Sequence, residues 1–321
     1  MSLFSEYQYM KKTIRIPAKI NLYLDVIEKM PNGYHELETV MQSIDIFDIV
    51  TLRAEKGTGK ISVGAIEGKQ RMLFAVPHPR NTAYRAAKLF AETYPDAPSR
   101  DGILAGECDF EIGLIKNIPS EAGLGGASAD AAAVLMILAD MFDTGADEKA
   151  LLALGAKIGA DVPFCIRRGT VLARGIGEKM SDISQLPTLH LLIAKPYGEN
   201  ISTPLAFAEI DTRGLCKKSG DIEAFVFALE KNDIKTAAKL SLNKFEDTLP
   251  STSRVFEIKQ IMLSCGAHMA QMSGSGSAVF GIFENTEAFR HAEELIKNMA
   301  QVYPCHTLGR DASLDYEEVH L

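Results

Sequence analysis

The stretch from Pro119 to Ser128 holds residues that could bind a phosphate group. Gly123, Gly125 and Gly126 form a loop that is almost free of side chains. Glycines let the backbone approach phosphate oxygens closely, because no Cβ intervenes. From about Ser128 the sequence is Ala-rich, which predicts a helix whose first turn presents unpaired N–H groups. Ser128 could cap this helix, or offer its hydroxyl to a phosphate or a bound Mg²⁺. The alternative is a plain turn before a core helix.

Two other glycine motifs fit this loop less well. The Walker loop requires a lysine after its last glycine, and none follows Gly126. The dinucleotide fingerprint is nearly met, but Ser128 holds the position of its third small residue. The preceding strand alternates and carries Glu111 and Lys116, whereas a parallel central strand is continuously apolar. The loop therefore favours a phosphate site of another class.

A lysine and an amide lie early in the chain between two apolar segments. Thr13–Pro17 and Leu22–Ile27 are predicted strands, and the tight link between them would hold Lys19 and Asn21 rigidly. A lysine in such a place usually points to solvent. These two residues alone therefore leave the choice between a structural link and a site open.

A carboxylate follows the end of a predicted helix at 148–158. Asp161 lies just after Gly159, which ends that helix, and directly before Val162 and Pro163. Pro163 favours an extended conformation at Val162, so Asp161 is expected on a defined backbone. The end of an element is a common place for a catalytic carboxylate, and the alternative is an Asx turn.

An aromatic residue and a histidine follow a turn. Pro31-Asn32-Gly33 is a turn sequence, and Tyr34 and His35 come directly after it. These side chains could stack on a flat ligand and hydrogen-bond to it. The alternative is a hairpin with a partly buried Tyr and His.

The elements that must position these residues follow from periodicity. Asn81 is a natural N-cap for a helix running to about Tyr94. Composition changes around 181–187, and strands alternate with helices beyond it in an α+β pattern. The segments expected outside regular structure are the leader at residues 1–12, a loop at Pro77–Pro79 and a frayed tail at Arg310–Leu321.

Composition excludes several classes of function. The length of 321 residues favours two domains, and a net charge of −8 argues against a nucleic-acid-binding surface. The five cysteines are scattered without a Cys-x-x-Cys pair, so neither disulfides nor a zinc site is expected. There is no apolar run of about 18 residues and no signal peptide, so we expect a cytoplasmic protein without a membrane partner.

Four spaced motifs together resemble the small-molecule kinases of the GHMP superfamily. The motifs are Pro17–Leu22, Pro119–Ala133, Gly159–Phe164 and Met272–Gly276. The resemblance runs from about Thr13 to Ile282 and so covers most of the chain. It implies a two-domain α+β GHMP kinase fold. An N-terminal ATP-binding domain of the ribosomal protein S5 domain 2-like type is expected over 1–183, and a C-terminal ferredoxin-like α/β-plait domain over 184–321.

Three further stretches narrow the resemblance to one branch. These are Asn32–His35, Arg174–Glu178 and Lys195-Pro196. The branch acts on a cytidyl-diphospho-methylerythritol in the non-mevalonate route to isoprenoid precursors. The implied activity moves the γ-phosphoryl of Mg-ATP to the 2-hydroxyl of the erythritol unit. The implied partners are ATP and this acceptor, with no tightly bound cofactor, in a monomer or weak homodimer.

The resemblance also implies roles for particular residues. Asp161 matches the catalytic base and Lys19 its electrostatic partner. The implied ATP-binding residues are Asn81, Lys116, Pro119, Ala122, Gly123, Leu124, Gly125, Gly126, Ala127 and Ser128, with Asn81 and Lys116 lining adenine and ribose and Ser128 a candidate Mg²⁺ ligand. The implied acceptor-binding residues are Asn21, Tyr34, His35, Tyr197, Gly274 and Gly276, with the two tyrosines on the faces of the cytosine and His35 at its edge.

The sequence departs from the family pattern at two places. Ala127 and Ala129 replace a glycine and a serine of the phosphate loop, so Ser128 is left as its only hydroxyl. The third motif continues Ser277-Ala278 instead of Pro-Thr, which puts a rigid turn and a threonine contact in doubt. Neither departure affects the glycines that approach the ligand.

Three other functions compete with this interpretation. Another GHMP kinase, acting on homoserine or mevalonate, would have no base to stack on Tyr34. A catalytically silent binding protein of the same fold is disfavoured by the presence of Lys19 and Asp161. A dinucleotide-binding oxidoreductase is disfavoured by Ser128 and by the alternating strand.

Overall fold

The chain forms two β-sheets with helices packed against them. The structure, a computed structural model, describes residues 9–67, 70–74 and 80–316. The loop predicted at Pro77–Pro79, the first eight residues of the predicted leader and the last five of the predicted tail lie outside these residues.

The first sheet is built on one long hairpin. Its seven strands are β1 (Tyr9–Lys29), β2 (His35–Lys56), β3 (Ile61–Glu67), β4 (Gln70–Phe74), β5 (Cys108–Lys116), β6 (Thr170–Gly175) and β7 (Lys179–Asp182). The order is β4-β3-β5-β2-β6-β7, and β1 pairs with β2 along its other edge. All these pairs are antiparallel except β3 with β5. Because β2 pairs with β1, β5 and β6, it is the centre of the sheet.

Four helices belong to the first half of the chain. They are α1 (Thr82–Thr93), α2 (Gly126–Met141), α3 (Glu148–Ala156) and α4 (Val162–Arg167). Helix α2 is apolar nearly all round, and it contacts α1, α4 and β1. A helix of that composition belongs in the core. The glycine loop before α2 is therefore anchored to a helix of the core.

The second sheet has four antiparallel strands. They are β8 (His190–Pro196), β9 (Met269–Met272), β10 (Val279–Phe283) and β11 (Ala300–His306), in the order β11-β8-β10-β9. The helices of this half are α5 (Thr203–Thr212), α6 (Ile222–Glu230), α7 (Ile234–Leu240), α8 (Arg254–Ser264) and α9 (Thr286–Ile296). The predicted α+β class is confirmed, and this strand order is that of the expected α/β plait. The predicted domain boundary lies between β7 and β8 and stays a prediction.

The predicted break between two early strands is wrong. Residues Tyr9–Lys29 form one strand, whose register against β2 shifts between Pro17 and Ala18 and again between Asn21 and Tyr23. Such bulges bend a strand without ending its pairing. Lys19 and Asn21 are two residues apart in a strand, so their side chains lie on one face.

Both predicted chain ends are more ordered than expected. Tyr9–Lys12 pair with β2, and the guanidinium of Arg53 lies 4.2 Å from the ring centroid of Tyr9, so these four residues are not a leader. The tail is not frayed up to residue 316: the N–H of Arg15 donates to the carbonyl of Leu314 at 2.9 Å. The tail covers free backbone groups of β1, an edge strand, and such groups need partners.

Two expectations from composition can be compared with the described residues. All five cysteines are free thiols. None of the helices among residues 9–316 that are described has the length and apolar character needed to cross a membrane.

Candidate active site

A cleft of about 1150 Å³ brings most of the predicted site residues together. The glycine loop lines it at one place, and Tyr34 and His35 line it at another. Lys19, Asn21 and Asp161 also line it. Segments as far apart in the chain as Lys19 and Ser275 thus meet around one open space.

The glycine loop requires glycine at two positions for different reasons. Gly123 has φ +74° and Gly125 has φ +76°, a left-handed conformation that other residues rarely adopt. A Cβ on Gly123 would lie 2.0 Å from the carbonyl oxygen of Ser273. A Cβ on Gly125 would lie 2.9 Å from Cγ of Lys19. The loop is therefore packed against both the lysine and the third motif.

Gly125, not Ser128, is the N-cap of α2. The first alternative for Ser128, a helix cap, is therefore wrong. Ser128 lies in the first helical turn and lines the cleft. Its hydroxyl makes no hydrogen bond to a described residue, so it is available to a ligand.

Lys19 and Asp161 lie next to each other at the cleft. The distance between Nζ of Lys19 and Oδ2 of Asp161 is 3.3 Å. The lysine side chain is 4% exposed and the aspartate side chain 37% exposed. A buried amine thus faces a carboxylate that is open to the cleft. Such a pair can place a positive charge near a reacting oxygen.

Asp161 is held at the start of a helix. It occupies the N-cap position of α4, but its side chain makes no capping hydrogen bond. The prediction of an extended Val162 is wrong, because Val162 is the first helical residue and Pro163 follows in the first turn, where a proline is tolerated. The carboxylate of Asp161 is consequently not used by its own helix.

Asn21 fixes the head of Lys19. Nζ of Lys19 donates to Oδ1 of Asn21 at 2.8 Å, and Nδ2 of Asn21 donates to Oγ1 of Thr39 at 2.9 Å. The Thr39 hydroxyl donates to the carbonyl of Tyr23 at 2.7 Å. The backbone N–H of Lys19 donates to the carbonyl of Leu124 at 3.0 Å, which ties the strand to the glycine loop. This buried chain of bonds orients the amine.

The third motif closes on the same site. The Ser273 hydroxyl donates to the carbonyl of Gly123 at 2.9 Å and accepts from the N–H of Asn21 at 3.3 Å. A Cβ on Gly274 would lie 3.1 Å from the Gly123 carbonyl oxygen and 3.4 Å from Nζ of Lys19. Gly276 packs instead on Ile201 and Met272, and it does not line the cleft. Ser273, which was not among the predicted site residues, connects the two glycine motifs through its hydroxyl.

A second cluster of a lysine and carboxylates flanks the glycine loop. Nζ of Lys116 lies 2.5 Å from Oδ2 of Asp130 and also donates to Asp48. Asp48 is fully buried and accepts from the N–H groups of Asn117 at 2.7 Å and Ile118 at 2.8 Å. Neither aspartate was predicted as a site residue. Asp48 fixes the chain where β5 turns into the loop.

The electrostatics of this second cluster follow from its burial. Burial raises the pKa of the Asp130 carboxyl to about 7, partly offset by Lys116 and reinforced by Asp48. Burial alone would lower the pKa of Lys116, but the two carboxylates outweigh it and raise that pKa. Oδ1 of Asp130 is buried and has no hydrogen-bond partner. Lys116 lines the cleft together with Asn81. The side chain of Asn81 also caps α1, because its Oδ1 accepts from the backbone N–H of Tyr84 at 3.1 Å.

The far part of the cleft is aromatic. Tyr34 lines it with 59% of its surface exposed, while His35 beside it is buried. The ring of Phe207 stacks on that of His35, with centroids 4.7 Å apart and planes inclined by 20°. Tyr197 does not line the cleft, so the structure does not bring it to Tyr34. Phe207, which was not among the predicted site residues, lines the cleft instead.

Family models match both halves of the chain. The model described as the GHMP kinases N terminal domain matches residues 81–169. The model described as GHMP kinases C terminal matches residues 225–304. The matched regions contain α2 with its glycine loop and the strands of the third motif.

Curated relatives resemble the chain over most of its length. A protein of Caldicellulosiruptor bescii named 4-diphosphocytidyl-2-C-methyl-D-erythritol kinase is 38% identical, and the match covers 91% of this chain and 98% of that protein. A protein of Pelotomaculum thermopropionicum with the same name is 41% identical, and the match covers 85% and 89%.

Solved structures share the fold. A crystal structure titled 4-(cytidine 5'-diphospho)-2C-methyl-D-erythritol kinase has 30% sequence identity and a TM-score of 0.71, with 94% of this chain and 100% of that chain covered. The L. major mevalonate kinase, crystallised with R-mevalonate, has a TM-score of 0.70 at 15% identity, with 98% and 100% covered. The second likeness bears on the fold alone.

Proposed function

The chain belongs to the GHMP kinase family, and from that premise we propose that it phosphorylates 4-diphosphocytidyl-2-C-methyl-D-erythritol at its 2-hydroxyl with Mg-ATP. The observation that carries the proposal is a single cleft lined by three features. They are the amine–carboxylate pair Lys19 and Asp161, the glycine loop, and an aromatic wall formed by Tyr34, His35 and Phe207. A phosphate donor fits the glycine loop, and a cytosine ring fits the aromatic wall. Relatives that are 38% and 41% identical to the chain carry the name of this activity.

The chemistry of the transfer needs positioning and positive charge more than covalent help. The transition state of phosphoryl transfer is loose, with charge spread over the oxygens. Asp161 would orient the acceptor hydroxyl and take its proton, since its carboxylate faces the cleft. Lys19, whose Nζ lies 3.3 Å from that carboxylate, would stabilise the developing alkoxide. The N–H groups after Gly125 would hold the phosphates at the start of α2.

The residues near the glycine loop suit Mg²⁺, the ion that kinases of this family typically use with ATP. Magnesium prefers oxygen ligands and is held by one or two protein oxygens together with substrate phosphates. Ser128 has a hydroxyl with no partner among the described residues, and Asp130 has an unpartnered buried carboxylate oxygen. The bound ion would neutralise charge on the phosphates. We propose Ser128 as its ligand from the chain.

The aromatic wall supports the cytidyl acceptor over those of other GHMP kinases. Tyr34 offers an exposed ring face, and Phe207 and His35 form a stacked pair beside it. Homoserine and mevalonate have no flat base that such a wall would recognise. We therefore propose Tyr34 and Phe207 as the residues that contact the faces of the cytosine. Tyr197, implied by the family resemblance, lies outside the cleft lining.

A coupled assay of ADP release with three acceptors tests the proposal. We expect turnover with the cytidyl-methylerythritol compound and little with homoserine or mevalonate. Turnover with homoserine or mevalonate, but not with the cytidyl compound, would show that the proposed acceptor is wrong and that the proposed kinase chemistry is right. Turnover with none of the three, in protein that binds ATP, would favour a catalytically silent member of the fold.

A further inference from the structure

The imidazole of His35 is held from two sides by one helix. Phe207 and Asp211 are four residues apart in α5 and therefore share a face of that helix. Phe207 stacks on the imidazole with centroids 4.7 Å apart. Asp211 reaches the edge of the ring, with 2.8 Å between its Oδ1 and Nε2 of His35. The orientation of the ring is thus set by a helix of the second half of the chain.

The charge state of Asp211 decides which ring nitrogen carries the proton. Hydrogen bonds from His35 and then Lys29 hold the pKa of the Asp211 carboxyl below its usual value. Nζ of Lys29 donates to its Oδ2 at 2.6 Å. An ionised carboxylate only accepts hydrogen bonds, so Nε2 must donate. In a neutral imidazole the other nitrogen, Nδ1, is then an acceptor.

Nδ1 is the nitrogen left for a ligand. It makes no hydrogen bond to any described residue, and His35 lines the cleft beside Tyr34. Cytosine presents an amino group at C4, which donates, whereas uracil presents a carbonyl oxygen there, which accepts. A bare Nδ1 pairs with the amino group and repels the carbonyl oxygen.

We propose that Asp211 is a positioning residue that selects cytosine over uracil, by fixing His35 in the tautomer whose Nδ1 accepts a hydrogen bond. The inference rests on the function proposed above, because it concerns the base of the same acceptor. Asp211 would not touch the acceptor itself. It would act through the position of one proton on the imidazole of His35.

The tautomer can be measured without any substitution. We expect the ¹⁵N spectrum of histidine-labelled protein to show the His35 proton on Nε2, with the resonance assigned by its loss in the His35→Gln variant. A proton on Nδ1 in the wild-type protein would overturn the inference. This measurement needs neither ATP nor acceptor.

Binding of CDP and UDP measures the selection itself. We expect the wild-type protein to bind CDP at least tenfold more tightly than UDP, because a site built for one hydrogen-bond pattern rejects the other. The Asp211→Asn variant should lower this ratio by about tenfold, because an amide can present either its oxygen or its N–H to Nε2. An unchanged ratio in a folded Asp211→Asn protein would overturn the role of Asp211.

Two matched variants distinguish an effect of the His35 tautomer from effects of ring packing and of local charge. Lys29→Met removes the other partner of Asp211, and it should change the CDP:UDP ratio by less than about twofold. Phe207→Leu removes the stacked ring and should weaken CDP and UDP equally. A loss of selection in Lys29→Met equal to that in Asp211→Asn would overturn the tautomer argument in favour of local charge.

The same experiments distinguish this inference from the proposed function. Equal affinities of the wild-type protein for CDP and UDP would overturn the selection by Asp211. Phosphoryl transfer to the cytidyl-methylerythritol acceptor would still be tested by the ADP-release assay, which does not depend on uracil nucleotides.

Discussion

Two clusters of a lysine with aspartate flank the glycine loop, and they differ in where the acid lies. Lys19 faces one aspartate, Asp161, whose side chain is 37% exposed to the cleft. Lys116 faces two aspartates, Asp48 and Asp130, whose side chains are 0% and 6% exposed. The same pair of residue types therefore stands once at an open surface and once in the interior.

The difference separates a chemical role from a structural one. The carboxylate of Asp161 makes no capping bond and can meet an incoming hydroxyl. The carboxylate of Asp48 is occupied by Lys116 and by two backbone N–H groups, so it holds the loop entrance in place. A buried triad with two ionised acids and one amine would carry a net negative charge, which is unfavourable away from water, and the pKa of Asp130 is raised accordingly. The following predictions test this division.

Replacement of the open acid should have the largest effect. We expect Asp161→Asn to lower the turnover number by at least about 10²-fold, because a general base typically contributes about 10²–10⁴-fold. ATP affinity should stay the same, since Asp161 is assigned to the acceptor hydroxyl. Steady-state kinetics and ATP titration measure both. Asp140→Asn, at an exposed aspartate paired with Lys12, is the control and should leave turnover unchanged. Unchanged turnover in Asp161→Asn would remove Asp161 as the base.

The loop between the clusters should be nearly as sensitive to one methyl group. We expect Gly123→Ala to raise the Michaelis constant for ATP at least tenfold, because its Cβ would lie 2.0 Å from the backbone carbonyl of Ser273. The added strain should also lower the free energy of unfolding by about 2–3 kcal/mol. Kinetics and urea unfolding measure the two effects.

Gly59→Ala separates the clash from the backbone strain. Gly59 also has a positive φ, +83°, but a Cβ there would meet nothing within 4 Å. It should lower stability by about 1 kcal/mol and leave the Michaelis constant for ATP unchanged. If both variants behaved alike, close packing of Gly123 on the third motif would not matter for nucleotide binding.

A substitution in the aromatic wall should weaken binding of the acceptor and leave binding of ATP unchanged. We expect Tyr34→Ala to raise the Michaelis constant for the cytidyl acceptor about tenfold, as stacking of a base on an aromatic ring is worth roughly 1–3 kcal/mol. The constant for ATP should not change. Tyr197→Ala is the matched control, since Tyr197 is similarly exposed but lies outside the cleft lining, and it should change neither constant. A selective effect on ATP would move Tyr34 to the nucleotide site.

The buried Asp130 should make the free energy of unfolding depend on pH. Asp130 has a pKa near 7 in the folded chain, above its unfolded value of about 3.9. Between these values the folded state binds a proton that the unfolded state does not, so stability falls as pH rises. We expect the free energy of unfolding to fall from pH 5 to pH 8 by about 2 kcal/mol more in the wild type than in Asp130→Asn. Parallel curves for the two proteins would contradict a protonated Asp130.

Local patterns were enough to predict many elements. Periodicity predicts helices over Ile222–Glu230 and Ile234–Leu240 and a strand over Met269–Met272. Elements α6, α7 and β9 have these ends, because their apolar runs stop at turn residues. The cap at Asn81 is also as predicted. The strand break near Lys19 and the frayed tail were wrong, since both depend on what a distant segment offers. Long-range pairing keeps β1 continuous, and β1 in turn binds the tail.

The cap of α2 shows where local rules give the wrong residue. Serine is a good N-cap, so Ser128 was a reasonable candidate. The helix instead begins at Gly126, and its N-cap is the left-handed Gly125, three residues before Ser128. Lys19 packs so close to Gly125 that a side chain there would collide with it. The start of the helix is therefore set by an element more than 100 residues away.

The sequence by itself determined the family, the two halves of the fold and the pair Lys19 and Asp161, because motifs and periodicity are properties of consecutive residues. Tertiary structure alone decided which carboxylates stay open and which are buried, and which aromatic rings line the cleft. It placed Phe207, and not Tyr197, in the lining of the cleft, and it placed Asp211 beside His35. The physical reason is that burial and hydrogen bonding depend on distances between segments, and these distances are fixed only when β-strands and helices from both halves pack together.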